Sequence, residues 1–255
     1  MSKAISKKQN YVAPVESIRG LEIFGYDMVS AGLSVLRRTD ALPEAILDEL
    51  ASLPKKERVI RLGLMMRDDK KLLMTQENGI QLAVREFCQA NDIQSSDIVS
   101  IKRDAVYATR AATKLSFGHV VWQRAGRFSS WYKLGGIEFY HDSHGSKLEV
   151  KGLGSDVTEL HRPHFLEELK SVIIASETLP RDRLAEVCIR ARRRYVRFQL
   201  DPECYREMNS GSTFRLKNSV GSFDIFSETF PGFDDLDVSY NYSVFLAKLF
   251  RCLLG

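Results

Sequence analysis

Residues 20–36 read GLEIFGYDMVSAGLSVL. The stretch begins strand-like, with Ile23, Phe24 and Tyr26, and continues into an apolar run that can turn helical after Ser30. Asp27 therefore falls near the end of a strand, where a carboxylate can face a cleft.

The pattern downstream alternates helix and strand signals. Residues 42–53, LPEAILDELASL, place Leu42, Ile46, Leu47, Leu50 and Leu53 on one helical face before Pro54 interrupts. The basic segment KKERVIRLGLMMR follows at 55–67, with Lys55, Arg58 and Arg61 at helical spacing on one side. Residues 68–71 read as a polar turn, and 76–91 as an amphipathic helix despite Gly79, with Asn91 as its stop signal. IVSIKRDAVYATR, residues 98–110, has the apolar–polar–apolar pattern of a hairpin that presents Asp104 near its tip. Residues 118–151 are β-rich and punctuated by glycine. After Gly154 the segments 164–177 and 179–200 read as helices, residues 209–238 as loop, and the tail ends in a short apolar helix. The expected fold is α+β, a mixed or antiparallel sheet with packed helices followed by a mostly helical segment. The expected divisions are a flexible basic lead-in at 1–12, an α+β domain at 13–154 with a helical insertion at about 42–91, and a helical segment with its tail at 155–255.

Composition narrows the function classes. A chain of 255 residues with 44% hydrophobic and 27% charged content can build a sizeable core and is not a disordered polyelectrolyte. The net charge of +4 points to a polyanionic partner only where the cations cluster. Cys88, Cys188, Cys204 and Cys252 lie far apart and form no zinc or disulfide pattern, so reduced intracellular thiols are expected. The first ten residues lack an apolar signal core, and no apolar run reaches the ~20 residues of a membrane span. These features lead to an expectation of a cytoplasmic protein without a membrane partner.

The cations do cluster. Arg190, Arg193, Arg194 and Arg197 fall at i, i+3, i+4 and i+7, a stripe suited to phosphates, though a solvated helix face has the same pattern. Phe128, Trp131, Tyr132, Phe139 and Tyr140 lie among Arg124, Arg127 and Lys133, as in a groove that stacks bases, or as in a sheet with alternate burial. Asp27 and Asp104 come from separate segments, as carboxylates that share metal ions must. His141 with His144, and His161 with His164, resemble ligand pairs but lack further ligands at zinc spacing. No GxGxxG, P-loop or GxSxG motif occurs.

The order of these elements resembles family B DNA polymerases, above all the compact phage forms. Tyr26-Asp27-Met28-Val29-Ser30-Ala31-Gly32 is similar to that family's first palm motif. Lys55, Arg58, Arg61 and Gly63 look like a reduced fingers motif, and Lys102-Arg103-Asp104-Ala105 occupies the place of the Asp-Thr-Asp-Ser hairpin. Trp131-Tyr132-Lys133 and Val150-Lys151-Gly152 follow in the order of the family's later elements. The resemblance covers about residues 20–205. It implies a palm followed by a thumb-like segment, and a minimal or split polymerase or primase. Asp27 and Asp104 would hold magnesium or manganese, while Lys55, Arg58, Arg61 and Gly32 would meet the nucleotide. Tyr132, Lys133, Lys151 and the Arg190–Arg197 stripe would contact DNA or RNA, and residues 224–255 would meet other replication or transcription proteins. It also implies a phage-encoded protein acting in a bacterial host. The sequence departs from the family where Gly32 replaces a Tyr, Lys102 replaces the first hairpin Asp, and the fingers Asn is absent. These departures leave open a catalytically inactive, polymerase-like protein that binds nucleic acid, and a protein-binding module that uses the acidic loop and apolar tail.

Overall fold

The computed structural model describes residues 10–134, 136–142, 147–152, 162–197, 199, 217–218 and 221–222. Of the lead-in expected at 1–12, residues 1–9 lie outside these residues, as do the acidic loop at 224–237 and the apolar tail, while Asn10–Val12 form a strand. The chain is α+β and divides into two compact units. The first comprises Met1–Pro14 with Leu21–Phe128, and the second Val15–Gly20 with Ser129–Gly255.

The first unit contains β1 (Asn10–Val12), most of β2 (Ser17–Met28), β3 (Ile98–Lys102), β4 (Ala105–Ala108), β5 (Ser116–Phe117) and the start of β6 (Val120–Leu134). Its strand order is β1-β3-β4-β2-β6, with β5 paired to β6. The β1–β3, β3–β4, β2–β4 and β5–β6 pairs are antiparallel. Its helices are α1 (Ala31–Arg38), α2 (Glu44–Ser52), α3 (Lys55–Asp68) and α4 (Lys70–Ala90). The strand-to-helix change after Ser30 and the hairpin around Asp104 are both present. Helix α4 begins at Lys70 rather than 76, because the Asp69 carboxylate accepts from the Lys71 and Leu72 amides and caps the helix there.

The β2 alternation decides what each face carries. Phe24, Tyr26 and Met28 join Ile98, Ile101, Val106 and Ala108 in a core against Ile80, Val84 and Phe87 of α4. The Phe87 ring stacks on Trp122 at 4.3 Å and tilts against Tyr26 at 5.2 Å. The Tyr26 hydroxyl accepts from the Ala112 amide at 2.7 Å, so this large ring is buried with its polar tip satisfied. Asn91, the stop signal of α4, donates to the Phe87 and Lys114 carbonyls and accepts from the Thr113 and Lys114 amides. A second apolar cluster of Leu36, Leu47, Leu50, Leu62, Met66 and Leu72 joins the four helices. At its edge Arg38 grips Glu86 with two bonds, 2.5 and 2.6 Å long, which hold the Glu86 carboxyl below its ordinary range.

The second unit contains the end of β6, β7 (Ile137–Asp142), β8 (Lys147–Lys151), α5 (Arg162–Thr178), α6 (Arg181–Val196), β9 (Lys217–Asn218) and β10 (Gly221–Ser222). Strands β6, β7 and β8 run antiparallel in that order. Trp131, Tyr132, Phe139 and Tyr140 are buried here, and Phe128 is buried in the first unit. The expected base-stacking groove is therefore not formed by these rings. Their polar tips point to internal partners: Tyr132 bonds Ser176 at 2.9 Å, and Trp131 and Tyr140 both donate to Glu138. Burial pushes the Tyr132 phenol up from its ordinary value. Among the described residues, no helix is long and apolar enough to cross a membrane.

Gly79 of α4 packs directly against Val35 of α1. A Cβ at that position would stand 2.1 Å from Cγ1 of Val35, which is fully buried. Alanine would gain about 1 kcal/mol in helix propensity, but overpacking against a rigid β-branched side chain costs about 1–3 kcal/mol. Gly79→Ala is therefore expected to lower the thermal midpoint, and Val35→Ala in the same chain to recover part of the loss. A Gly79→Ala protein at least as stable as the wild type in thermal denaturation contradicts this packing.

Candidate active site

The first unit contains a cleft of about 670 Å³, within the range that holds small-molecule ligands. One wall is the end of β2. Strand β2 pairs with β4 so that Asp27 stands opposite Ala105, and the Met28 amide donates to the Asp104 carbonyl at 3.0 Å. Lys102 pairs with Ala105, leaving Arg103 and Asp104 as the two-residue turn of the β3–β4 hairpin. Arg103 takes the left-handed conformation, φ 53°, and its amide donates to Asn10 Oδ1 at 3.2 Å. Adjacent strands therefore bring Asp27 and Asp104 to one end of the sheet. Both are partly buried and both line the cleft.

The next wall is the first turn of α1. Ser30 is its N-cap with φ 47°, no side chain caps it, and the turn carries no acidic residue. The Ala31, Gly32 and Leu33 amides begin the helix without intrahelical acceptors, and all three residues line the cleft. Helix α3 supplies Lys55 and Arg58, with Val59, Leu62, Gly63 and Met66 along the same face. Gln76 and Ile80 of α4, Arg103 of the hairpin and Gln123 of β6 complete the lining. Two carboxylates thus stand with cations and a positively polarised helix end around one space. Such an arrangement can take a polyphosphate on its basic side and a divalent cation on its acidic side. Among the described residues, no group of three or more His, Cys, Asp or Glu side chains is placed to hold a metal.

Of the six residues expected at catalytic and nucleotide-binding positions, five meet here: Asp27, Gly32, Lys55, Arg58 and Asp104. Arg61 does not join them. Three-residue steps on a helix drift by about 60° each, so the third cation points elsewhere, and it pairs with Glu49 of α2 at 2.5 Å. Gln76, Gln123 and the α1 amides were not singled out, and Arg103 entered only as part of the hairpin motif. One signal for Gln76 was present, a polar residue within the Leu72–Ile80–Val84 apolar row of α4.

The remaining candidates belong to the second unit. Tyr132 is buried, so its ring is no platform for a base. Lys133 is half-buried, and its amide donates to the Glu16 carbonyl. Lys151 pairs with Glu149 at 2.6 Å. Arg190, Arg193, Arg194 and Arg197 are all exposed along α6 and its C-cap, with Arg194 also 3.5 Å from Glu168. Their helix presents Leu184, Cys188 and Tyr195 to the interior, which leaves the arginines to solvent. His141 is buried and bonds Glu177 through Nδ1 at 3.0 Å. His144 and His161 lie outside the described residues, so neither histidine pair is seen whole. Burial pushes the Cys88 thiol up to about 12 and Cys188 to about 11, which leaves both unreactive near neutral pH.

A family model described as Bacteriophage PBS1 gene 130 protein matches residues 1–249, and the chain belongs to that family of phage proteins. No curated protein matches the chain.

The cleft geometry sets an expectation for inorganic triphosphate measured by calorimetry at low salt. Lys55→Ala and Arg58→Ala should each weaken binding by about three- to tenfold, as for partly exposed charge-assisted contacts. Arg61→Ala should leave it unchanged. Equal losses in all three variants would mean that the anion is held by diffuse charge and not by this cleft.

Proposed function

For this member of a phage protein family, we propose metal-assisted nucleotidyl transfer in the first-unit cleft, as a minimal or split palm-type polymerase or primase. The observation that carries the reading is the convergence of Asp27 and Asp104 with Lys55 and Arg58 on one space of nucleotide size. An antiparallel sheet whose strand end and hairpin tip both supply carboxylates also agrees with the palm resemblance of the sequence. Divalent magnesium or manganese suits the acidic side, because these ions accept one or two carboxylates and complete their shell with water and phosphate oxygens. Bound there, the metal would lower the pKa of an attacking hydroxyl and neutralise charge on the phosphates. Asp27 and Asp104 hold that charge at the sheet end. The α1 amides, Lys55 and Arg58 orient the triphosphate and stabilise the negative charge that shifts onto the leaving pyrophosphate. The exposed α6 arginines suit the phosphate backbone of DNA or RNA by charge and by guanidinium geometry.

A second reading is a polymerase-like nucleic-acid-binding protein without catalysis. Lys102 favours it, because a cation precedes Arg103 and Asp104 where the resembled family has a second carboxylate. Primer extension with labelled nucleotides in magnesium or manganese separates the two. The catalytic reading expects incorporation that falls by about 10²–10³-fold in Asp27→Asn and in Asp104→Asn. Salt-dependent binding of primed template without incorporation, weakened in the Arg193→Ala/Arg194→Ala double variant, establishes the second reading instead. Incorporation that survives both Asp→Asn substitutions removes this cleft as its source.

A further inference from the structure

Helix α4 buries one apolar row along its length, and Gln76 is the polar exception among its buried residues. The side chain is 8% exposed and lines the cleft. Its carboxamide is presented to the cleft rather than sealed among apolar side chains. Packing an amide into an apolar helix row costs desolvation that a leucine or methionine at the same place would avoid. The amide is held at a defined place: Nε2 lies 2.6 Å from where a Cβ on residue 32 would stand. Gly32 is thus the residue that leaves Gln76 its space, and Gly32 also belongs to the α1 first turn that faces the cleft.

We propose that Gln76 is a specificity-determining residue that hydrogen-bonds a sugar hydroxyl of the bound nucleotide. The inference rests on the reading of the cleft as a nucleoside triphosphate site. A carboxamide both donates and accepts, and so does a hydroxyl, whereas phosphate oxygens only accept and are matched by Lys55, Arg58 and the α1 amides. Position supports the same assignment. Gln76 lies one side chain's width from the α1 turn that takes the phosphates, and the sugar is the part of a nucleotide joined to its phosphates. The base lies beyond the sugar. Binding then pairs the buried amide, and a sugar that lacks the hydroxyl leaves it unpaired, a difference that polar sites discriminate strongly.

The test is calorimetric binding to the full chain of inorganic triphosphate, ATP, UTP, and the 2′-deoxy and 3′-deoxy forms of each. One deoxy form is expected to bind about tenfold more weakly than its parent, by the same factor for adenine and uracil, and its identity names the hydroxyl. Gln76→Met, which keeps the volume, should remove that difference and leave inorganic triphosphate binding unchanged. The proposal is overturned if inorganic triphosphate binds while the sugar preference is absent, survives Gln76→Met, or follows the base. Should inorganic triphosphate fail to bind at all, the phosphate site falls and this inference falls with it.

Discussion

The pairing of β2 with β4 is the constraint on which the candidate site depends. The hydrogen bond from the Met28 amide to the Asp104 carbonyl, and the opposition of Asp27 to Ala105, bring two carboxylate residues together that lie far apart in sequence. A strand has a two-residue period, so a slip of one position would exchange its faces. Asp27 would then turn toward Phe87, and Tyr26 would lose both its contact with the Phe87 ring and the bond from Ala112. Burying an unpaired carboxylate there would cost far more than the hydrogen bonds of the slipped ladder return. The aromatic core thus enforces the register, and the register assembles the acidic side of the cleft.

The basic side depends on helix packing. Helices α1 and α4 approach closely because residue 79 has no side chain, and the Arg38–Glu86 pair fastens the same two helices. The leucine cluster carries α2 and α3 with them. Lys55 and Arg58 therefore face the cleft from a framework of apolar packing edged by ion pairs between the helices. Gln76 is the polar residue in the buried row of α4, and it stands on the cleft lining.

Strand-to-helix succession, the hairpin at Asp104 and the helical stretches were legible in the sequence because each rests on local periodicity or on turn residues within a short span. Several site residues were not. Periodicity identifies a face but not its neighbour, so the aromatic run from Phe128 to Tyr140 had the same pattern as a stacking surface and as a core. The internal partners Ser176 and Glu138 decide for the core. Arg61 likewise read as a companion of Lys55 and Arg58 until the position of Glu49 became known. The arginines of α6 remained on a solvent face as the spacing suggested, because Leu184, Cys188 and Tyr195 occupy the opposite side.

By itself, then, the sequence determined the element types, the strand-end place of Asp27, the hairpin-tip place of Asp104 and the basic character of α3 and α6. These follow from backbone periods and side-chain charge, which act over a few residues. Only the tertiary structure decided that Asp27, Asp104, Gly32, Lys55 and Arg58 share one cleft, that Arg61 and Tyr132 are engaged elsewhere, and that Gln76 presents its amide on the cleft lining. Those outcomes depend on which surfaces meet across long stretches of chain, and that is set by strand register and close packing rather than by local spacing.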